Sequence, residues 1–253
     1  MAKRVAIVTN VQELAGVACA RALHRDGMTV VCHDARFTDA DARKSFESSE
    51  SGLLASPEQA PEALVAAAIE VHGQVDVLYS NDVHPAKFLP VEEASLDDLR
   101  ATLEGLLVMP FAMCKALAPH MKKRRTGNII LFSSATPLSP YPLSSVYCCA
   151  RAGASNLAVS LAREFAPHNV QINAVLSQFL HSEIYYPRDL FENNAEVKAY
   201  LHAHVPMQRL GEQTELAEMV AFLASGKCNF VNGQNIPFSG AWPGMPKWPA
   251  TFK

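Results

Sequence analysis

Short apolar runs alternate with helical stretches along almost the whole chain, and that alternation constrains the fold more than any other feature of the sequence. Val5–Thr9 is the first run. An amphipathic stretch follows to about Asp26, Gly27 closes it, and Thr29–His33 is again apolar in the way of a strand buried on both faces. The order then repeats. A helix from about Pro57 to His72 precedes a strand at Val75–Ser80, and a helical pattern from Ser95 to Arg125, interrupted by Pro110, precedes a strand at Asn128–Phe132. A helix from about Ser144 to Ala166, a strand at Val170–Val175, a helix at Thr214–Ala224 and a strand near Gln234–Phe238 complete the series. This succession predicts an α/β chain with a doubly wound parallel sheet of about seven strands, whose sites lie at the carboxyl ends of the strands.

A chain of 253 residues, 49% hydrophobic, can bury one large core, so one domain spanning 1–253 is expected. The formal net charge of −3 gives no electrostatic case for nucleic acid or an anionic membrane surface. The basic run Lys122 to Arg125 reads as a helix end, with Gly127 as its cap. No stretch holds the roughly 18 uninterrupted apolar residues of a membrane span, and the opening apolar run is too short for a signal-peptide core. The six cysteines show neither C-x-x-C nor metal spacing and read as reduced, buried thiols of a cytoplasmic protein. His202 and His204 have no ligand-type neighbours and read as surface residues, so no metal is expected.

Two segments break the rhythm. Residues 177–204, rich in Tyr, Pro and Asn, leave the sixth strand where a substrate lid would lie. The tail, 240–253, carries Trp242 and Trp248 among prolines and is expected to pack on a neighbouring surface, that of another subunit included.

Chemistry concentrates at Ser134, Tyr147 and Arg151. Residues i and i+4 share a helix face, so the Arg151 guanidinium can stabilise a Tyr147 phenolate, which acts as a general base. Ser134, at the end of the preceding strand, would hold a substrate oxygen, and Asp82, at the end of a neighbouring strand, would orient Arg151. By contrast, the turn after the first strand is hostile to a dinucleotide. A pyrophosphate reaches a helix N-terminus only past small residues, and Thr9-Asn10-Val11-Gln12-Glu13-Leu14-Ala15-Gly16 offers bulk at Leu14 and a carboxylate at Glu13. Asp34, where a ribose-binding carboxylate would sit, reads instead as a structural residue or cap.

Ser134 and Tyr147-x-x-x-Arg151 resemble the Ser and Tyr-x-x-x-Lys of the short-chain dehydrogenase/reductase superfamily, with Arg for Lys. The superfamily's first-loop glycines are reduced to Gly16, its N-N-A-G becomes Ser80-Asn81-Asp82-Val83, and its Pro-Gly after the sixth strand becomes Ser177-Gln178. Together with Ser134-Ala135-Thr136-Pro137, Phe179-Leu180-His181-Ser182, Gln208-Arg209-Leu210-Gly211 and the Trp- and Pro-containing tail, these features resemble the halohydrin dehalogenases, a cofactor-independent branch with a Rossmann-like fold. The resemblance implies conversion of small vicinal haloalcohols to epoxides with release of halide, and the reverse opening of epoxides by halide, azide, cyanide or nitrite. It implies Ser134, Tyr147 and Arg151 as catalytic residues, and a homotetramer. Leu14, Ser177, Gln178, Phe179 and Leu180, with the backbone N–H groups of that loop, are the candidate halide pocket. His84, Pro85, Tyr141, Tyr185, Tyr186 and Trp248 are candidates for the substrate side. Two alternatives remain: a nicotinamide-dependent alcohol dehydrogenase tolerating Arg151, which NADH binding would reveal, and a non-catalytic sensor, which would bind a metabolite without turnover.

Overall fold

A computed structural model of the protein describes residues 3–244. The apolar runs form strands β1 (Val5–Val8), β2 (Thr29–Cys32), β3 (Leu53–Ala55), β4 (Val77–Ser80), β5 (Gly127–Ser134), β6 (Val170–Ser177) and β7 (Asn235–Phe238). They pair in parallel in the order β3-β2-β1-β4-β5-β6-β7, so the first strand lies beside β2 and β4 and the sheet is wound both ways from there. Every residue of β1, β4, β5 and β6 is buried, which is why these segments show no polar alternation.

The helices are α1 (Gly16–Arg25), α2 (Ala40–Ser49), α3 (Pro61–His72), α4 (Leu96–Leu103), α5 (Met109–Arg124), α6 (Ser145–Phe165), α7 (Arg188–Asn193), α8 (Ala195–His204) and α9 (Gln213–Ala224). One layer packs Met113, Leu117, Met121, Ala158 and Phe165 on one face of the sheet; the other packs Cys19, Leu23, Leu216 and Val220 on the opposite face. Residues 33–57 conceal η-type and short elements, and α2 and β3 go unnoticed in the sequence because α2 buries only Phe46 and β3 has three residues.

Several expectations are corrected. Pro110 does not interrupt the long helix: residues 104–108 widen into a π turn between α4 and α5, which accommodates a proline that lacks an N–H. The continuous helical run Leu96–Arg124 is thereby 29 residues long and, by length and composition alone, able to cross a membrane. Met113, Leu117 and Met121 are nevertheless fully buried against the sheet, as in a core helix. Arg125, in the left-handed conformation, caps α5, and Gly127 opens β5 instead, because a Cβ there would lie 2.5 Å from Met121 Sδ. Cys149 and Cys228 are exposed, unlike the other four thiols. Residues 177–204 are not irregular throughout; α7 and α8 run through them, separated by Asn194, whose side chain accepts from the N–H groups of Glu196 and Val197.

Gly16 is the glycine this fold tolerates least in any other form. A Cβ at that position would sit 2.3 Å from the Val11 carbonyl oxygen, so the first loop and α1 could not both keep their places. Gly16→Ala is expected to cost about 2 kcal/mol, seen as a fall of several degrees in Tm by calorimetry. A Tm equal to that of the wild type would contradict this account of the loop.

Candidate active site

Strand ends and one helix assemble the site. Ser134 closes β5 and lies opposite Ser177 of β6 in register; α6 then returns across this edge and presents Tyr147 and Arg151 one turn apart. The Arg151 Nε donates to the Tyr147 phenol oxygen at 3.2 Å, and one terminal nitrogen donates to the Phe132 carbonyl at 3.0 Å. The guanidinium carbon is 5.4 Å and 5.5 Å from the Tyr147 and Phe132 ring centroids, so two aromatic faces help hold a cation that is only 2% exposed. In so dry a setting a positive charge beside the phenol oxygen favours its anionic form over the neutral one.

Asp82 is buried nearby but makes no hydrogen bond to Arg151. Its oxygens accept from the Thr9 hydroxyl at 3.4 Å, the Asn10 amide at 3.3 Å and the Ser80 hydroxyl. The expectation that Asp82 orients Arg151 by direct contact is therefore replaced by an action through charge alone, because those three donors already hold the carboxylate. Burial raises its pKa to about 6, while the Ser80 bond and the Arg151 charge pull in the other direction.

A cavity of about 80 Å³ opens between Ser134, Tyr147 and Arg151 and the loop after β6. Leu14, Ser177, Gln178, Leu180, Tyr141, Tyr185 and Tyr186 line it. Phe179 does not. Its backbone is left-handed (φ 54°), which turns the ring away, to stack 5.3 Å from Tyr186 and edge-on 6.1 Å from Trp242. There it lines a second cavity of about 530 Å³ with Trp242 and Arg209. The loop offers fewer anion donors than its sequence suggests. The Gln178 N–H donates to the Phe238 carbonyl at 3.0 Å, that of Phe179 faces the Tyr186 phenol, and that of Leu180 has no backbone acceptor among the described residues.

The side chains of His84 and Pro85 line a separate small recess with Asp98 and Leu143; their loop reaches the main cavity through Ala86 and Phe88, which the sequence gave no periodic signal to find. The His84 carbonyl still accepts from the Tyr185 hydroxyl at 3.3 Å. Burial pushes the pKa values of Tyr141, Tyr185 and Tyr186 upward, so these phenols are neutral donors. Thr136 and Phe132 line the cavity too and were not singled out from sequence. Trp248 lies outside the described residues; of the tail, Trp242 is buried, 6.0 Å from the Tyr141 ring.

The turn after β1 keeps a dinucleotide loop's backbone and fills its space. Asn10 and Leu14 both hold the left-handed conformation natural to glycine (φ 44° and 43°), a cost of about 1–2 kcal/mol each for residues with a Cβ. Leu14 projects into the cavity and the Asn10 amide is bound to Asp82. Glu13 accepts from Arg36 at 2.8 Å; Arg36 in turn holds Asp34 at 2.7 Å, and the Gln12 N–H donates to Asp34 at 3.1 Å. Burial alone would raise the Asp34 pKa, but Arg36 and these N–H donors hold it below the ordinary carboxylate value. Asp34 also caps the turn at Arg36, in keeping with its reading as a structural residue or cap. A ribose would find its carboxylate occupied, and a pyrophosphate would meet a leucine and a carboxylate. These residues do not fit a nicotinamide dinucleotide.

Comparison with known proteins agrees with this layout. Residues 15–240 match the family model described as enoyl-(acyl carrier protein) reductase. The chain is 28% identical to human dehydrogenase/reductase SDR family member 4 over 249 residues, covering 96% of this chain and 88% of the relative. It is 31% identical to human dehydrogenase/reductase SDR family member 2, mitochondrial, covering 95% and 86%. Among solved structures it is similar to a halohydrin dehalogenase bound to ethyl (2S)-oxiran-2-ylacetate, with a TM-score of 0.93 and 37% identity over 97% of this chain and 100% of that one. A second structure, described as a dehalogenation enzyme, gives a TM-score of 0.90 and 36% identity over 95% and 98%.

Proposed function

The chain belongs to the short-chain dehydrogenase/reductase superfamily and, within it, to the halohydrin dehalogenases, and from that premise we propose that it closes small vicinal haloalcohols to epoxides without a nicotinamide cofactor. The observation that carries this reading is the pairing of a buried Arg151 on the Tyr147 phenol with a nucleotide loop whose space is taken by side chains. An acid–base pair persists where the hydride carrier has no room.

In this mechanism the Tyr147 phenolate takes the proton of the substrate hydroxyl, whose oxygen is held at Ser134. The alkoxide attacks the adjacent carbon from behind, the carbon–halogen bond breaks, and halide leaves with its electron pair. Arg151 holds the charge on the phenol oxygen before transfer. The halide is released towards the apolar wall of Leu14 and Leu180, where the Leu180 N–H is a donor; a weakly hydrated anion suits such surroundings. In reverse, a small anion such as azide, cyanide or nitrite enters there and opens an epoxide. The epoxide carried by the similar halohydrin dehalogenase structure supports this substrate class.

The same reading includes a homotetramer, for which Val108 and Phe111, exposed along the α5 side, are available surface. Halide release from a short chlorohydrin, measured on the purified protein, tests the activity directly. Calorimetry with NADH and NADPH is expected to detect no binding at micromolar concentrations. A micromolar dissociation constant would overturn the cofactor-free reading and restore a reductase.

A further inference from the structure

Ser134 ends a hydrogen-bond chain whose proton positions can be counted. Gln178 is its hub: the amide nitrogen donates to the Tyr141 and Tyr186 hydroxyls at 2.9 and 3.0 Å, and the amide oxygen accepts from the Thr136 hydroxyl at 2.9 Å. Thr136 has one hydroxyl proton, and Gln178 takes it. The 2.8 Å contact between the Ser134 and Thr136 hydroxyls is therefore donated by Ser134, which also accepts from the Thr136 N–H at 3.1 Å. All of these groups border the cavity or are buried beside it. Ser134 thus offers the cavity a lone pair and no proton.

That polarity distinguishes the two partners of the reaction, and here the inference rests on the dehalogenase reading. A haloalcohol carries a hydroxyl proton and can donate to the Ser134 oxygen; an epoxide oxygen can only accept. We propose that Thr136, fixed by Gln178, is a positioning residue that holds Ser134 as an acceptor and so favours binding of the haloalcohol over release-ready epoxide. To hold the epoxide oxygen, Ser134 must first give up its bond to Thr136. A neutral hydrogen bond of this kind is worth about threefold to tenfold in affinity.

The experiment measures the KM of a chlorohydrin and the inhibition constant of propylene oxide against halide release. It compares wild type with Thr136→Val, Thr136→Ser and Gln178→Leu. Thr136→Val removes the acceptor and frees the Ser134 proton, so propylene oxide should inhibit about threefold to tenfold more tightly while the chlorohydrin KM stays level or rises. Thr136→Ser keeps the hydroxyl and should behave as wild type. Gln178→Leu returns the Thr136 proton to Ser134 and should move the ratio in the same direction as Thr136→Val, which keeps the test decisive if the valine variant does not fold. Equal changes in both constants, or weaker inhibition by the epoxide, would overturn the proposal by reducing Thr136 to a packing residue. A wild type that releases no halide overturns the dehalogenase reading and this inference with it.

Discussion

Tyr147→Phe is expected to lower halide release by about two to four orders of magnitude, the usual contribution of a positioned acid–base group. The phenol oxygen is the only atom removed, and its bond is to Arg151 Nε, so packing around α6 should change little. Ser134→Ala should bring a loss of similar order, since nothing then holds the substrate oxygen within reach of the phenolate. Arg151→Lys should retain a charge and still lose about tenfold to a hundredfold, because an ammonium cannot bond both Tyr147 and the Phe132 carbonyl from the same planar fork. Steady-state kcat on each variant, at matched Tm and circular dichroism, decides the matter. Turnover of wild-type magnitude in Tyr147→Phe would end the phenolate mechanism.

How far the sequence carries such a reading depends on whether a local pattern or a long-range placement decides each feature. The central strands were legible because burial on both faces makes them continuously apolar, and Tyr147 with Arg151 were legible because helical spacing alone puts them on one face. Residues 177–204 looked irregular because Tyr, Pro and Asn imitate turn composition, although α8 buries Leu201 and needs only Asn194 as its start signal. Phe179 sits between two cavity residues in sequence, yet a left-handed backbone turns it to Trp242, and no pattern in the sequence announces a positive φ at a phenylalanine. Likewise, strand adjacency placed Asp82 near Arg151. Only side-chain geometry showed that Thr9, Asn10 and Ser80 had already claimed its oxygens.

Opposite pH trends for ring closure and ring opening are the second large effect to expect. Closure begins with Tyr147 ionised, as the base that takes the hydroxyl proton, whereas opening begins with it protonated, as the acid that delivers a proton to the forming alkoxide. Microscopic reversibility ties both to one phenol, so rising pH should speed halide release and slow azide-dependent epoxide consumption. The comparison belongs above about pH 6, where Asp82 stays ionised and its charge beside Arg151 is constant; below that value the carboxylate takes up a proton and both directions change together. One anion site must also serve both directions. Bromide should therefore inhibit closure as a product, and azide should compete with it in opening. Leu14→Ala, which removes part of the apolar wall without disturbing the triad, should shift the bromide inhibition constant and the azide KM in parallel. An enzyme that releases halide, ignores bromide and shows the same pH trend in both directions would require separate acid and base groups, and a path for the anion that does not pass Leu14 and Leu180.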